Sequence, residues 1–379
     1  MKKILFYLDS LLLGGEQKIA IDYLNVLQSY YQVSLLVNMD FGEDNFFLSQ
    51  IPKEIPISFV IEKELLLSLN YYKKNRGNSL KNRILYSWYL AKKRKARQKK
   101  IGPILQSLDY DYCIDFSNKL PVSVTDERVL AWNHSSIYGT SQKTIEHFLK
   151  PKYQKIGKIV VVSESMKQEY LSIFPEFREK IVVLPNFLDL DKIQSLSSET
   201  IPEQDSFFLC CSRLDPRKDI ATIIRAFALW KQDPQHQEKL FILGTGTEQS
   251  NLEALSKSLS LESEITFLGQ KQNPYPYMKQ AKLFLHASLQ EGFGLVLVEA
   301  MACGTPVIAT DCPVGPKEIL LDGKCGILVS MKNERSMFQA IQQLMTNSKQ
   351  YEEFQRLAFS RAIDFSKDSI TQKLQQLFS

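Results

Sequence analysis

Short apolar runs alternate along this chain with longer stretches whose apolar residues recur every three or four positions. The first pattern predicts strands buried on both faces, and the second predicts helices with one apolar face. In the first half the predicted strands are 3–8, 33–37, 57–61, 111–116, 129–132, 158–162 and 181–184. The predicted helices there are 16–29, 78–107, 142–153 and 165–173, and Gly102-Pro103 threatens the end of the long one. LPNFLDLDKIQSLSSETIPEQDS then breaks the alternation: it is polar, holds two prolines and lacks a clear period. The pattern restarts with strands at 207–211, 240–243, 265–268, 283–286, 307–309 and 326–329. Helices are predicted at 219–230, 248–259, 276–280, 294–302, 334–345, 348–361 and 368–378. The expected organisation is a domain over 1–185, a linker over 186–203, a second domain over 204–362 and a final helix within 363–379. The class is α/β, with two doubly wound parallel sheets facing a shared cleft. Ligands of such sheets bind beyond the carboxyl ends of the strands, so residues just after strands are the first candidates.

Composition narrows the reading. At 379 residues the chain has room for two domains, and its 44% apolar and 23% charged content is that of a globular protein. No run approaches the roughly 18 apolar residues of a spanning helix. MKKILFYLDSLLLGG imitates a secretory signal, but Asp9 and Gly14-Gly15 favour a buried first strand. Six scattered cysteines with no C-x-x-C pair read as reduced thiols. The net charge of +5 is unevenly spread. Between Glu64 and Asp109 there is no acidic residue, and the span holds twelve basic ones from Lys73 to Lys100. Without those twelve, 35 basic residues face 42 acidic ones, a net charge of −7. That is not the composition of a nucleic-acid-binding domain.

The richest segment is LFLHASLQEGFGLVLVEAMACGTPVIATDCPV, which reads strand, glycine loop, apolar helix, strand. Glu291 stands at the lip of the loop, and exposed N–H groups around Gly292, Phe293, Gly294 and Leu295 suit an anion or a ring of hydroxyls. Eight residues is a little over two helical turns, so Glu299 is expected on roughly the same side, about 12 Å along the axis. Glu299 sits within LVLVEAM, and a carboxylate in that setting needs a partner or a ligand. Arg213 and Lys218, in SRLDPRKD after a strand, pair a planar fork with a point charge and suit a diphosphate. Asp219 is expected to cap the next helix. Gly14 and Gly15 join the first strand to its helix and let backbone approach a phosphate. Gly244-Thr245-Gly246 lacks the third glycine of a dinucleotide fingerprint. His134 ends a strand in a polar cluster, whereas His147, His236 and His286 read as structural. Asp109-Tyr110-Asp111 and Asp189-Leu190-Asp191 imitate a metal motif without supporting ligands, so no obligatory metal is expected.

Taken together and in order, GGEQ, VVSES, LPNF, SRLDPRKD, LGTG, the E-x7-E from Glu291 to Glu299 and TDCPVGPKEIL resemble the retaining glycosyltransferases of family 4. The resemblance covers essentially the whole chain and is strongest from Phe208 to Val329. It implies the GT-B fold: two Rossmann-like domains, the first binding the acceptor and the second a nucleotide-sugar, with the last helix returning to the first domain. It implies a UDP-sugar donor without an obligatory metal. By position, Arg213 and Lys218 would hold the diphosphate and Glu299 the ribose hydroxyls. Glu291 and the backbone of 292–295 would hold the sugar, with Gly244 beside the donor. Gly15, with Gly14, would approach the phosphates from the other domain, and His134 would contact the sugar. Glu291, His134, Arg213 and Lys218 are the implied catalytic set, and the leaving phosphate would take the acceptor proton. Here Gly14-Gly15-Glu16-Gln17 departs from the family's more usual GGAER.

The implied task is transfer of a hexose or N-acetylhexosamine to a bacterial glycolipid acceptor, in lipopolysaccharide, capsule or lipid-linked oligosaccharide synthesis. A sugar-nucleotide epimerase and an inactive glycolipid-binding partner subunit are the rivals. Leu80, Ile84, Trp88 and Ala91 share one face of the basic helix. That face packs into the core or else brings residues 73–100 to an anionic membrane surface or an acceptor's phosphates. The corresponding location is cytoplasmic, on the inner face of the cytoplasmic membrane, with no nucleic-acid partner.

Overall fold

The computed structural model describes residues 1–203 and 205–378. The expected boundaries at Gln204 and Ser379 lie outside the described residues. Two compact units emerge. The first comprises 1–161, 169–183 and Phe378; the second comprises 162–168 and 184–377.

The first unit holds seven parallel strands in the order β3-β2-β1-β4-β5-β6-β7. They are β1 (Lys3–Leu8), β2 (Gln32–Met39), β3 (Ile57–Ile61), β4 (Tyr112–Asp115), β5 (Val129–Asn133), β6 (Lys158–Val161) and β7 (Ile181–Val183). Ile4 pairs with Val33 on one side and Tyr112 on the other. The helices are α1 (Gly15–Leu27), α2 (Lys63–Lys74), α3 (Leu80–Ser107), α4 (Gln142–Thr144) and α5 (Lys150–Lys155), and α6 (Glu164–Ile173) has its first turn in the second unit and its remainder in this one. A π-helical stretch, Ile145–Leu149, joins α4 to α5 where one plain helix is expected. The long helix α3 runs unbroken through Gly102-Pro103. Ile101 and Leu105, 1% and 6% exposed, hold it to the core on both sides of the proline, so burial outweighs the lost hydrogen bond.

The second unit has six parallel strands in the order β10-β9-β8-β11-β12-β13. They are β8 (Phe207–Cys211), β9 (Lys239–Leu243), β10 (Ile265–Gly269), β11 (Leu283–His286), β12 (Val307–Thr310) and β13 (Ile327–Val329). Numbered from β8, that order is 3-2-1-4-5-6, the dinucleotide-fold order, whose crevice opens between β8 and β11. Its helices are α7 (Leu190–Leu196), α8 (Ile220–Trp230), α9 (Gln249–Ser258), α10 (Tyr275–Gln280), α11 (Leu295–Ala302), α12 (Pro316–Ile319), α13 (Glu334–Thr346), α14 (Ser348–Ile363) and α15 (Lys367–Gln376). Ile223, Phe227, Trp230, Ile242, Leu285 and Ile341 form the heart of one core cluster. The polar segment around 190 is folded as α7, capped by Asp189, whose carboxylate accepts from Lys192 N at 3.0 Å. Helix α15 clusters with this unit, while Phe378 belongs to the first, its ring 5.3 Å from Tyr31 and 5.4 Å from Tyr112.

A charged network lies inside the first unit at the carboxyl ends of β4 and β5. Lys152 Nζ lies 2.5 Å from Asp115 Oδ2, and both side chains are 0% exposed. Asp115 also accepts from Lys119 N and Leu120 N, and Lys152 donates to Asn118 Oδ1 at 2.7 Å. Removing one partner strands a buried charge. Lys152→Met is therefore expected to cost about 3–5 kcal/mol in urea unfolding. The Asp115→Asn/Lys152→Met pair should cost less than the single changes added together; simple additivity would show that the two charges do not act as a pair.

Candidate nucleotide-sugar site

In the second unit the loops after β8 and β11 border the crevice. The β8 loop is shaped by Asp215, whose carboxylate accepts from Arg217 N and starts a 3-10 turn over Pro216–Lys218. Asp219 occupies the N-cap position of α8 with a left-handed backbone, φ 40°. Its carboxylate accepts from the Thr222 hydroxyl at 2.8 Å instead of making the expected backbone cap. The β11 loop is tied to this one by Leu289 N, which donates to Arg217 O at 2.8 Å. Buried Ser288 is fixed through Thr310, whose Oγ1 both accepts from Ser288 N and donates to Ser288 O at 2.8 Å.

These anchors bring Lys218 and Glu291 together. Lys218 Nζ is 2.5 Å from Glu291 Oε1, and the side chains are 19% and 10% exposed. His286, the last residue of β11, donates from Nε2 to the same oxygen at 3.0 Å. Burial would raise the Glu291 pKa, but hydrogen bonding and attraction from His286 and Lys218 outweigh it. They hold the carboxyl well below the usual carboxylate range. Glu291 is thus a fixed anion, not a proton donor. His286, expected to be structural, holds the Glu291 carboxylate through this hydrogen bond. Its position at a strand end, five residues before Glu291, was the available signal.

The two glutamates are not a helical pair. Helix α11 begins at Leu295, after a left-handed Gly294, so Glu291 precedes it and the two-turn spacing does not apply. Glu299 is 7% exposed, and its Oε1 accepts from the Tyr275 hydroxyl at 3.1 Å. Arg213 pairs with Asp215 at 2.9 Å and stays 70% exposed at the rim. Gly244, after β9, has φ +126°, and a Cβ there would fall 1.8 Å from Ser212 O. Glycine is therefore required for the β8 and β9 loops to touch. Phe293 is buried, its ring 5.4 Å from Phe365.

The remaining candidates lie in the first unit. Gly14 is the N-cap of α1 and accepts from Lys18 N at 3.0 Å. A Cβ at Gly15 would meet nothing within 4 Å, whereas one at Gly14 would strike the Gln17 amide, so Gln17 folds back over the turn. His134 follows β5 and places Nε2 3.0 Å from Phe116 O. A carbonyl only accepts, so Nε2 carries the proton and Nδ1 is a bare acceptor without a hydrogen-bond partner among the described residues. Burial pushes the His134 pKa down to about 4, against the Phe116 hydrogen bond, so the ring is neutral at pH 7.

The basic residues of α2 and α3 divide by contact. Arg97 donates to Tyr7 Oη at 2.9 Å, Lys93 lies against Met39 Sδ and Lys100 pairs with Glu62, so these three bind the unit's own body. Leu80, Ile84 and Trp88 face outward, 71%, 61% and 53% exposed, joined by Leu67 and Tyr71 of α2. Lys92 Nζ lies 5.1 Å from the Trp88 ring. No helix among the described residues is long and apolar enough to cross a membrane. None of their His, Cys, Asp and Glu side chains form a group of three that could hold a metal. Cys113, Cys210, Cys312 and Cys325 are buried thiols.

Comparison with known proteins agrees with this geometry. Residues 191–361 match the family model of the glycosyl transferases group 1. Over 218 residues the chain is 37% identical to the N-acetylgalactosamine-N,N'-diacetylbacillosaminyl-diphospho-undecaprenol 4-alpha-N-acetylgalactosaminyltransferase of Campylobacter jejuni. That match covers 58% of this chain and 59% of the Campylobacter protein, so the chain spans little more than half of that relative. An uncharacterized glycosyltransferase of Haemophilus influenzae is 26% identical over 93% of this chain and 92% of its own. The solved structure of Anabaena HepE with UDP and glucose superposes with a TM-score of 0.75 at 20% identity, covering 100% of this chain and 99% of that one. The chain has the GT-B fold, and within it residues 191–361 are similar to the glycosyl transferases group 1.

Proposed function

We propose that this chain is a retaining glycosyltransferase. It moves a hexose or N-acetylhexosamine from a UDP-sugar to a bacterial glycolipid acceptor, in lipopolysaccharide, capsule or lipid-linked oligosaccharide synthesis. The observation that carries the reading is Lys218 paired with the anionic Glu291 at the crevice between β8 and β11. The relative whose name specifies a diphospho-undecaprenol acceptor supports the lipid-linked substrate class, and the neighbour solved with UDP and glucose supports the donor class.

In this reading Lys218 and Arg213 neutralise the diphosphate, most of all as it leaves, when its charge is greatest. Arg213 sits on the rim with its guanidinium exposed, where it can follow the phosphates. Glu299, oriented by Tyr275, accepts from the ribose hydroxyls. Glu291 and the backbone of 292–295 hold the sugar, and backbone at Gly244 borders the donor. In the first unit, Gly14 and Gly15 offer backbone to phosphate, and His134 Nδ1 accepts from a sugar hydroxyl. The leaving phosphate takes the acceptor proton, and the configuration at the anomeric carbon is kept. Charge neutralisation by Lys218 and Arg213 makes turnover metal-independent. The outward apolar ridge of α2 and α3, flanked by lysines and arginines, seats the enzyme on the anionic inner face of the cytoplasmic membrane.

Lys218→Ala and Glu291→Ala should each slow UDP release from the preferred UDP-sugar by roughly a hundredfold or more, on the scale of a lost preorganised charge contact. Each change strands a partly buried partner, so the unfolding midpoint should fall while the fold is retained, and EDTA should leave the wild-type rate unchanged. A fully active Lys218→Ala would sink the diphosphate assignment. For the membrane face, replacing Lys92, Arg94 and Lys95 with Gln should weaken binding to phosphatidylglycerol vesicles by roughly 3 kcal/mol, on the order of a hundredfold. Leu80, Ile84 and Trp88 changed together to Ser should weaken it at any salt concentration. Unchanged vesicle binding in both variants would return the hairpin to a purely structural role.

A further inference from the structure

Two residues outside the site just described hold its sugar-binding loop from behind. Residues 162–168 belong to the second unit. There the Glu318 carboxylate, on α12, accepts from Glu164 N, Ser165 N and Ser165 Oγ, each at 3.1 Å. This caps the first turn of α6 with a side chain from 153 residues away. The cap fixes Ser163, whose Oγ accepts from Met166 N at 3.1 Å and donates to Gly292 O at 3.4 Å. The other end of α12 is held by Arg361, which donates to Glu318 O at 3.0 Å and Ile319 O at 3.1 Å. The Arg361 guanidinium lies 4.4 Å from the Phe365 ring, and that ring meets Phe293 edge-on. Gly315, the N-cap of α12, closes the third side. Its φ is +99°, and a Cβ there would fall 2.1 Å from Phe293 O. Gly292 and Phe293 are thus gripped through Ser163, Gly315 and Phe365, all referred to α12.

We infer that Glu318 and Arg361 are positioning residues: through α12 they fix the backbone of 292–294 in the geometry that receives the donor's sugar. This rests on the functional reading given above. Among the described residues Lys218 pairs with Glu291 and Arg213 with Asp215, not with Glu318, so the effect reaches the sugar end of the donor and spares the diphosphate end. Loosening the loop costs ordering on binding, which a preorganised loop avoids.

The test uses the full chain, with UDP and the fastest-released of UDP-glucose, UDP-galactose, UDP-GlcNAc and UDP-GalNAc. Glu318→Ala and Arg361→Met should raise KM for that UDP-sugar roughly tenfold, on the scale of a lost charge-assisted hydrogen bond. The Kd for UDP alone should stay within about twofold of wild type, since the diphosphate contacts are intact. Glu318→Gln keeps the length and an acceptor oxygen and should recover most of the loss. Should Glu318→Ala fail to fold, Ser163→Ala reads the same contact to Gly292. Lys218→Ala is the reference. If it weakens UDP binding while the α12 variants leave KM unchanged, the bracing role fails and the site reading stands. If Lys218→Ala leaves both UDP and UDP-sugar unaffected, the site reading itself fails. An equal loss of UDP and UDP-sugar affinity in Glu318→Ala would also overturn the proposal, because it would report general loosening.

Discussion

A parallel sheet whose connections leave its two central strands in opposite directions has a crevice that neither connection can cover. In the second unit those strands are β8 and β11, and the remaining features of the site follow from that constraint. Each strand must be followed by a loop that turns away, and the loops are held side by side at backbone level by Leu289 N on Arg217 O. Only then can a lysine from one and a glutamate from the other, 73 residues apart in sequence, share a hydrogen bond. The sheet is buried on both faces, so its chemistry must be carried at the strand ends. Lys218 and Glu291 are carried there.

Their pairing has a consequence for binding. An unpaired lysine at 19% exposure would carry a desolvation cost that no other group offsets. Glu291 offsets it, with His286 donating to the same carboxylate oxygen. The second cation, Arg213, is likewise held by Asp215. Under the proposed function a diphosphate therefore arrives at cations that already have partners, and it exchanges for a carboxylate instead of entering a bare positive pocket. Such exchange lowers the gain from ground-state binding and leaves more of the attraction for the state in which the leaving diphosphate carries its full charge.

Much of this was legible in the sequence because the relevant signals are local. Strand cores such as FFLCC and LFLH show as apolar runs, and Glu291 and Lys218 stand in loops marked by glycine or proline. What was not legible depends on contacts between distant residues. His286 lies inside an apolar strand, and only the fold-back of the next loop gives it a carboxylate to hold. Tyr275 reaches Glu299 across 24 positions. Helix α7 buries Ile193 and little else, too small an apolar face to show a period. Helix α2 keeps Leu67 and Tyr71 outward while Leu66 and Leu69 are buried, so its pattern has no single apolar side. The survival of α3 past Pro103 comes from the burial of Ile101 and Leu105, which a local reading of proline cannot weigh.

The charge distribution completes the argument. Under the proposed function the protein turns over an anionic donor and works at an anionic surface, two separate needs for positive charge that one cluster cannot serve. Charges meant for the surface need to be numerous, solvated and replaceable, since each contributes about 1 kcal/mol and is screened by salt. Charges meant for the donor need to be few, partly desolvated and fixed, since their effect depends on position. The chain separates them: the basic stretch lies on the α2–α3 hairpin of the first unit, while the second unit places Arg213 and Lys218 in one loop. Arg97, Lys93 and Lys100 anchor the hairpin to its own unit. The ridge of Leu80, Ile84 and Trp88 is thereby presented on a rigid helix, with the solvated lysines beside it. Under the proposed function the membrane face draws its apolar and electrostatic parts from one element, and neither part takes a cation from the site between β8 and β11.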